Sequence, residues 1–312
     1  MKKPVLIILG LLFLALISVY FIIPQKIKTS QAIEIDATDV NVARFLVSEA
    51  LWAKWWPGQH TPADSNLYIF NTARYTLLEG TNSEMKAAIK RDNITLYSHI
   101  TYAATGDGMC EVTWTNETQS SLNPFTRVAE FIKVKSLKTD IDTLLKGFKK
   151  FMQTDSNIYG MDVKISQIQN PVVLASTTGT HDYPTPGVVY SLVAKLRQQI
   201  KAQNATGLDS PMLNVHQGEA DGYQVMVAIP VNKVITPGKN MVINKLVKGG
   251  NLLDATVKGG PKTILNAYTQ LKNYQKAHHL ISPAMPYEVL VTNRLAQPDT
   301  AKWVTRIFWP IF

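Results

Sequence analysis

Apolar and polar positions divide the 312-residue chain into stretches of different period. The first has no polar face: "PVLIILGLLFLALISVYFII" runs uncharged from Pro4 to Ile23, long enough for a membrane-spanning helix of about 20 residues. Beyond it, Ile27, Thr29, Gln31, Ile33 and Ile35 alternate with polar residues, the period of a strand. Thr38 or Asp39 can cap a helix through "VNVARFLVSEALWAKW", with Val42, Phe45, Leu46 and Ala50 on one face. Strand-like pieces follow: "SNLYIFN", "RYTLLEGT", "EMKAAIKR", "ITLYSHITYAA" and "GMCEVTWTNET", with "TGDG" as a hairpin signal. "NPFTRVAEFIKVKSLKTDIDTLLKGFKKFMQ" then reads as one long helix. Pro124 suits its first turn, and Val128, Phe131, Ile132, Ile141, Leu144, Leu145, Phe148 and Met152 recur at helical spacing.

After a polar linker, "TDSNIYG" (154–160), the pattern doubles. "NPVVLASTTG" parallels "GNLLDATVKG", and "VVYSLVAKLRQQIKAQ" parallels "ILNAYTQLKNYQKAHH", pairing Tyr190 with Tyr268. "SPMLNVH" parallels "SPAMPYE", and "MVAIPV" parallels "RIFWPI". Matches in the same order predict one strand–helix–strand–strand unit used twice. Each helix carries an apolar stripe: Val189, Leu192, Val193, Leu196 and Ile200 in the first, Ile264, Leu265, Tyr268 and Leu271 in the second. Two such units should join their sheets about a pseudo-twofold axis, leaving a groove between the helices as a pocket. Counting from Pro211 and Pro283 places His216 opposite Glu288 beside that groove.

Composition and charge narrow the classes. Hydrophobic residues at 46% and charged residues at 18% describe a globular chain and exclude a disordered one. Lys+Arg 32 against Asp+Glu 23 gives +9, a balance that suits nucleic acid or an anionic membrane surface. The positive charge is not clustered, and no zinc spacing or helix-turn-helix stands out, so no nucleic-acid partner is expected. The lysines from Lys133 to Lys150 read as a solvated helix face. The single cysteine, Cys110 in "GMCEVTW", excludes an internal disulfide and reads as a small buried hydrophobe. His60 and His99 are lone histidines of surface or satisfied core positions. No Ser-His-Asp set, metal set or phosphate loop is found; "KGG" at 248–250 and 258–260 is turn chemistry. No cofactor and no metal are expected.

The apolar amino-terminal run ends in bulky residues, "SVYFIIPQK", which favours an uncleaved anchor over a cleaved signal peptide. Lys2 and Lys3 favour a cytoplasmic amino terminus, while Lys26 and Lys28 weigh the other way. The expectation is a single-pass protein of the cytoplasmic membrane, anchored through residues 4–23, with its soluble part outside the cytoplasm.

Two families resemble parts of this chain. The order strand, helix, antiparallel strands, long helix over residues 25–153, together with "LWAKWWP" (Trp52, Trp55, Trp56), resembles the START-like (SRPBCC, polyketide-cyclase-like) family. That resemblance implies a helix-grip fold with an apolar cavity for a hydrophobic ligand; the tryptophans fit core packing or the cavity mouth. Residues 161–312 resemble the GyrI-like family of effector-binding domains. The matching segments are "VKISQIQNPVVLASTTG", "GYQVMVAIPV", "TVKGGPKTILNAYTQLKNY" and "YEVLVTNRLAQPDTAKWVTRIFWPI". The implied site binds bulky, often cationic aromatic compounds against a buried glutamate on the penultimate strand, here Glu288. Tyr268 and Phe308 are implied as aromatic walls. The internal doubling, not the resemblance, adds Tyr190 and His216 as further candidates, although a histidine near a sheet edge needs no ligand. Lys262, Leu290 and Arg306 depart from that family's pattern, and Lys262 and Arg306 are candidate neutralising partners for Glu288.

The expected architecture is therefore α+β: an anchor over residues 1–24, a START-like domain over 25–153 and a GyrI-like domain over 161–312. Two readings of Glu288 stay open. It is exposed or internally ion-paired, or it is held for a positively charged guest, since an unpaired buried carboxylate costs several kcal/mol. Three functions follow: a membrane-anchored binder of a small apolar or cationic amphipathic ligand, a hydrolase of reactive electrophiles using Glu288 as base with the hydroxyl of Tyr268 or Tyr287, or the effector module of a transcription regulator. The last is disfavoured by the lack of a recognition helix.

Overall fold

The computed structural model describes residues 2–60, 64–218 and 222–312, with side chains from residue 7 onward. It is α+β with two antiparallel sheets, and it divides into two compact units, Met1–Thr154 and Asp155–Phe312.

The first unit opens with helix α1 (Lys2–Ile22). Among the described residues, no helix is long and apolar enough to cross a membrane, which overturns the expected anchor over residues 4–23. Helix α1 ends at Ile22, two residues before Pro24. Its last turn belongs to the globular unit. The Tyr20 hydroxyl donates to the Leu122 carbonyl at 2.5 Å, and Arg127 lies over the Tyr20 ring and donates to the Ile23 carbonyl.

Strand β1 (Lys26–Ile35), helices α2 (Asp39–Leu46) and α3 (Glu49–Trp55) and strands β2 (Gln59–His60), β3 (Leu67–Phe70), β4 (Ala73–Gly80), β5 (Glu84–Arg91), β6 (Ile94–Gly106) and β7 (Met109–Gln119) follow, then helix α4 (Pro124–Met152). The sheet order is β1-β7-β6-β5-β4-β3-β2, and α4 packs on β1. The helix expected through residues 40–55 is broken at Val47–Ser48. Indole donors take the carbonyls near the break: Trp52 Nε1 reaches Leu46 O at 2.6 Å and Trp55 Nε1 reaches Phe45 O at 3.3 Å. Trp52, Trp55 and Trp56 are all buried. Trp52 sits 6.2 Å from Trp114 on the sheet, and Trp55 sits 4.6 Å from Phe148 on α4. Interlocked rings thus stand between sheet and helix, where the helix-grip resemblance implies a ligand cavity. Cys110 is fully buried, and burial pushes its thiol up to about 11.

The second unit begins with α5 (Asp155–Tyr159), so the expected linker is partly structured. Ile158 and Tyr159 are buried, and the Tyr159 ring packs 5.1 Å from that of Tyr274. Strands β8 (Val163–Gln167) and β9 (Val172–Thr180), helix α6 (Pro186–Ala202), and strands β10 (Met212–Gln217) and β11 (Tyr223–Pro230) form the first half. Strands β12 (Met241–Lys245) and β13 (Asn251–Lys258), helix α7 (Pro261–Ala277), and strands β14 (Tyr287–Leu290) and β15 (Val304–Ile311) form the second. The sheet order is β12-β9-β11-β10-β14-β15-β13-β8. Reflected about its middle, each strand meets its counterpart from the other half. The edges are exchanged: β8 pairs with β13, and β12 pairs with β9.

Proline opens both helices, as the lack of an N–H there allows. Pro186 and Pro261 lie 75 positions apart (261 less 186), and the buried residues keep that offset: Val189, Leu192 and Leu196 match Ile264, Ala267 and Leu271. Tyr268 therefore corresponds to Val193, and Tyr190 to Leu265, so the expected Tyr190–Tyr268 pairing is corrected. Leu265 is 69% exposed and leaves the stripe; Ala267 takes its place. Both helices cover one face of the sheet. α6 packs on β9 and β11 and α7 on β13 and β15, so β10 and β14 form the floor between them.

Candidate functional site

The floor is set by a short ladder: Met212 pairs with Val289 and Leu213 with Glu288. Leu213 and Glu288 are themselves 75 positions apart (288 less 213), the helix offset, so the pseudo-twofold axis passes between them. The counterpart of Glu288 is thus Leu213 and not His216. Directly paired residues share a face, and successive residues alternate. Leu213 and Leu290 join the apolar cluster under α6, which places Glu288 on the helix-covered face. Met212, Val289 and Phe308 belong to the cluster on the other face, with Tyr287 against them.

Glu288 is 4% exposed. Its Oε2 accepts a hydrogen bond from Arg294 Nη2 at 2.5 Å. The same nitrogen donates to Thr305 Oγ1 at 2.8 Å, and the guanidinium carbon lies 4.9 Å from the centre of the Trp303 ring. The Arg294 side chain is itself only 10% exposed. Arg294 sits in the loop between β14 and β15, which holds its own shape. Asn293 Oδ1 accepts from the Leu295 and Ala296 amides, Val304 N donates to Thr292 Oγ1, and Trp303 Nε1 donates to the Gln297 carbonyl. From α6, the Tyr190 hydroxyl donates to the Thr292 carbonyl at 3.1 Å and accepts from the Arg294 amide at 3.0 Å.

Two more phenols feel this carboxylate. Burial, reinforced by the Glu288 charge, raises the Tyr268 phenol far above its ordinary value. Tyr183 is raised in the same direction by partial desolvation and then by the Glu288 charge, with Arg294 opposing, although the residue as a whole is 54% exposed. Trp309 lies 6.4 Å from Tyr268, ring to ring, and its buried indole N–H has no hydrogen-bond partner among the described residues.

The five expected site residues therefore separate. Glu288 and Tyr268 come together, and Tyr190 joins them through its hydroxyl rather than as a ring wall. Phe308 does not: it pairs with Tyr287, one register step from the Glu288–Ile307 pair, and so faces away. His216 lies on β10 with the parity of Met212, opposite in face to Glu288, and its Nδ1 is 3.0 Å from Asn214 Oδ1. Arg306 also faces away, ion-paired to Asp254 at 2.7 Å over the Phe308 ring, so it does not neutralise Glu288. Phe308 and Arg306, but not His216, border a separate cavity of about 340 Å³, with Tyr287, Met212 and Val289 also in its walls. Burial and the Asp254 charge push the Tyr287 phenol up to about 12.

Arg294, Trp303, Thr305 and Tyr183 were missed by pattern reasoning. Three of them lie in or beside loops rich in Asn, Pro and Gly, "HDYPTPG" and "VTNRLAQPDTAKW", where no period tells which side chains turn inward. Thr305 follows from the register alone, as the partner of Leu290.

No protein-family model and no curated protein matches the sequence. Among solved structures, the chain is similar to the C-terminal domain of EcmrR, at 17% identity and a TM-score of 0.41 over 49% of this chain and 98% of that one. It is similar to SAV2435 bound to tetraphenylphosphonium, at 12% identity and a TM-score of 0.32 over 49% and 94%. A hydrolase from Listeria innocua is similar at 10% identity and a TM-score of 0.36 over 48% and 92%. Likeness at this level assigns no activity to this chain.

Proposed function

We propose that residues 155–312 form a small-molecule-binding module whose guest is an amphipathic organic cation held at Glu288. The observation behind this is a buried carboxylate at the pseudo-twofold axis beside an aromatic face; the internal ion pair expected as the rival reading is present, with Arg294, so a guest has to take that arginine's place. A positive group taken out of water recovers Coulomb energy from such a carboxylate, and about 0.5–2 kcal/mol from each ring face it stacks on. Tyr268 and the unpartnered N–H of Trp309 add a second wall and a donor for a guest's acceptor.

Binding is favoured over hydrolysis by the state of the polar groups. The carboxylate that would serve as base has Oε2 committed to Arg294.

Rhodamine 6G, a fluorescent lipophilic cation, titrated against the full chain and Glu288→Gln by fluorescence anisotropy tests the reading. The expected result is saturable binding to the native chain, weakened at least tenfold in the variant. Equal affinity for both would remove the carboxylate from the site.

A further inference from the structure

The occupant of the site is part of the chain, and its chemistry is informative. Arg294 Nη2 gives one hydrogen to Glu288 Oε2 and the other to Thr305 Oγ1, while the flat guanidinium lies beside the Trp303 indole. Two acceptors and one ring face thus converge on a planar, N–H-bearing cation. Both side chains of the ion pair are at least nine-tenths buried. A cation without N–H groups at this position would leave the carboxylate, which can only accept, without the donor that Arg294 gives it, in a nearly dry place. Sites built to hydrogen-bond a group discriminate strongly against analogues that lack it.

We propose that Arg294 is a tethered competitor for the Glu288 site, and that the site selects planar cations with N–H donors, of the guanidinium or amidinium class, over quaternary ones. This rests on the reading that Glu288 receives a cationic guest. A guest enters by displacing the Arg294 side chain, whose loop keeps its own internal hydrogen bonds when the side chain leaves. Affinity in the native chain is therefore lowered by the local concentration of its own arginine.

Removing the competitor exposes the preference. Benzamidinium and phenyltrimethylammonium carry the same ring and charge, and only the first has N–H groups. Isothermal titration of both into the native chain, Arg294→Ala and Arg294→Gln is expected to show at least tenfold tighter benzamidinium binding in the variants. Each variant should prefer benzamidinium at least tenfold over phenyltrimethylammonium. Arg294→Gln keeps bulk and N–H donors without charge, so it guards against a folding defect in the alanine variant. As a second readout, millimolar methylguanidinium should raise the melting temperature of Arg294→Ala, and equimolar tetramethylammonium should not.

Equal benzamidinium affinity in native chain and variants would overturn the competitor role, while rhodamine binding to the native chain would leave the underlying reading intact. Equal affinity of a variant for the two probes would overturn the selectivity. Failure of rhodamine and benzamidinium to bind any form would remove the cation site itself.

Discussion

At the scale of single residues, the molecule turns on Glu288 and Arg294. The side chains are 5% and 10% exposed, so water screens their attraction poorly and replaces neither partner easily. Breaking such a pair from one side leaves an uncompensated charge and costs about 3–5 kcal/mol, whereas removing both charges is far milder. The expected outcome of a Glu288→Gln, Arg294→Gln double-mutant cycle is a coupling of at least about 3 kcal/mol, read from urea unfolding of the three variants. Strictly additive losses would mean that the two charges do not act as a pair. The glutamate was legible in the sequence because a carboxylate inside the apolar run "YEVLV" has to be accounted for. Its partner was not. Lys262 and Arg306 were the cations in view, yet the arginine that arrives comes from a loop six residues on, where neither period nor parity constrains direction.

At the scale of elements, turn chemistry decides how each helix is entered. Thr185 caps α6, its Oγ1 accepting from the Val188 amide, while α7 follows two glycines, Gly259 and Gly260. Gly259 has a φ of +147°, and a Cβ there would stand 2.4 Å from Thr263 Oγ1. Gly187, one residue into α6, would put its Cβ in ordinary contact at 3.7 Å. The two glycines should respond with opposite sign. Gly259→Ala is expected to lower stability by about 1–3 kcal/mol, and Gly187→Ala to raise it by up to about 1 kcal/mol through the unfolded chain. Thermal melts of both variants check this, and destabilisation of equal size would refute it. Helices and strands were largely readable because buried positions repeat at 3.6 or 2. The faces of Phe308 and His216 were not, since parity relative to Glu288 depends on strand register, and one step of register carries a side chain through the sheet. The break between α2 and α3 was hidden for a related reason: the pattern continues across it, and only the indole donors of Trp52 and Trp55 show how the freed carbonyls are satisfied.

At the scale of the whole molecule, the doubled pattern of residues 161–312 was visible in the order of its motifs, but not which edges would meet. Strand β8 leads the first half and closes the second; β12 leads the second half and closes the first. The halves therefore clasp each other like two hands, each completing a ladder the other began. Cut in the segment between β11 and β12, the pieces 155–236 and 237–312 should each remain without stable structure alone, each missing an edge strand. Mixed, they should recover the sheet together, seen as circular dichroism that exceeds the sum of the parts. Independent folding of either piece would show that the exchange of arms is ornamental; mutual dependence would make this unit a dimer in all but covalent continuity.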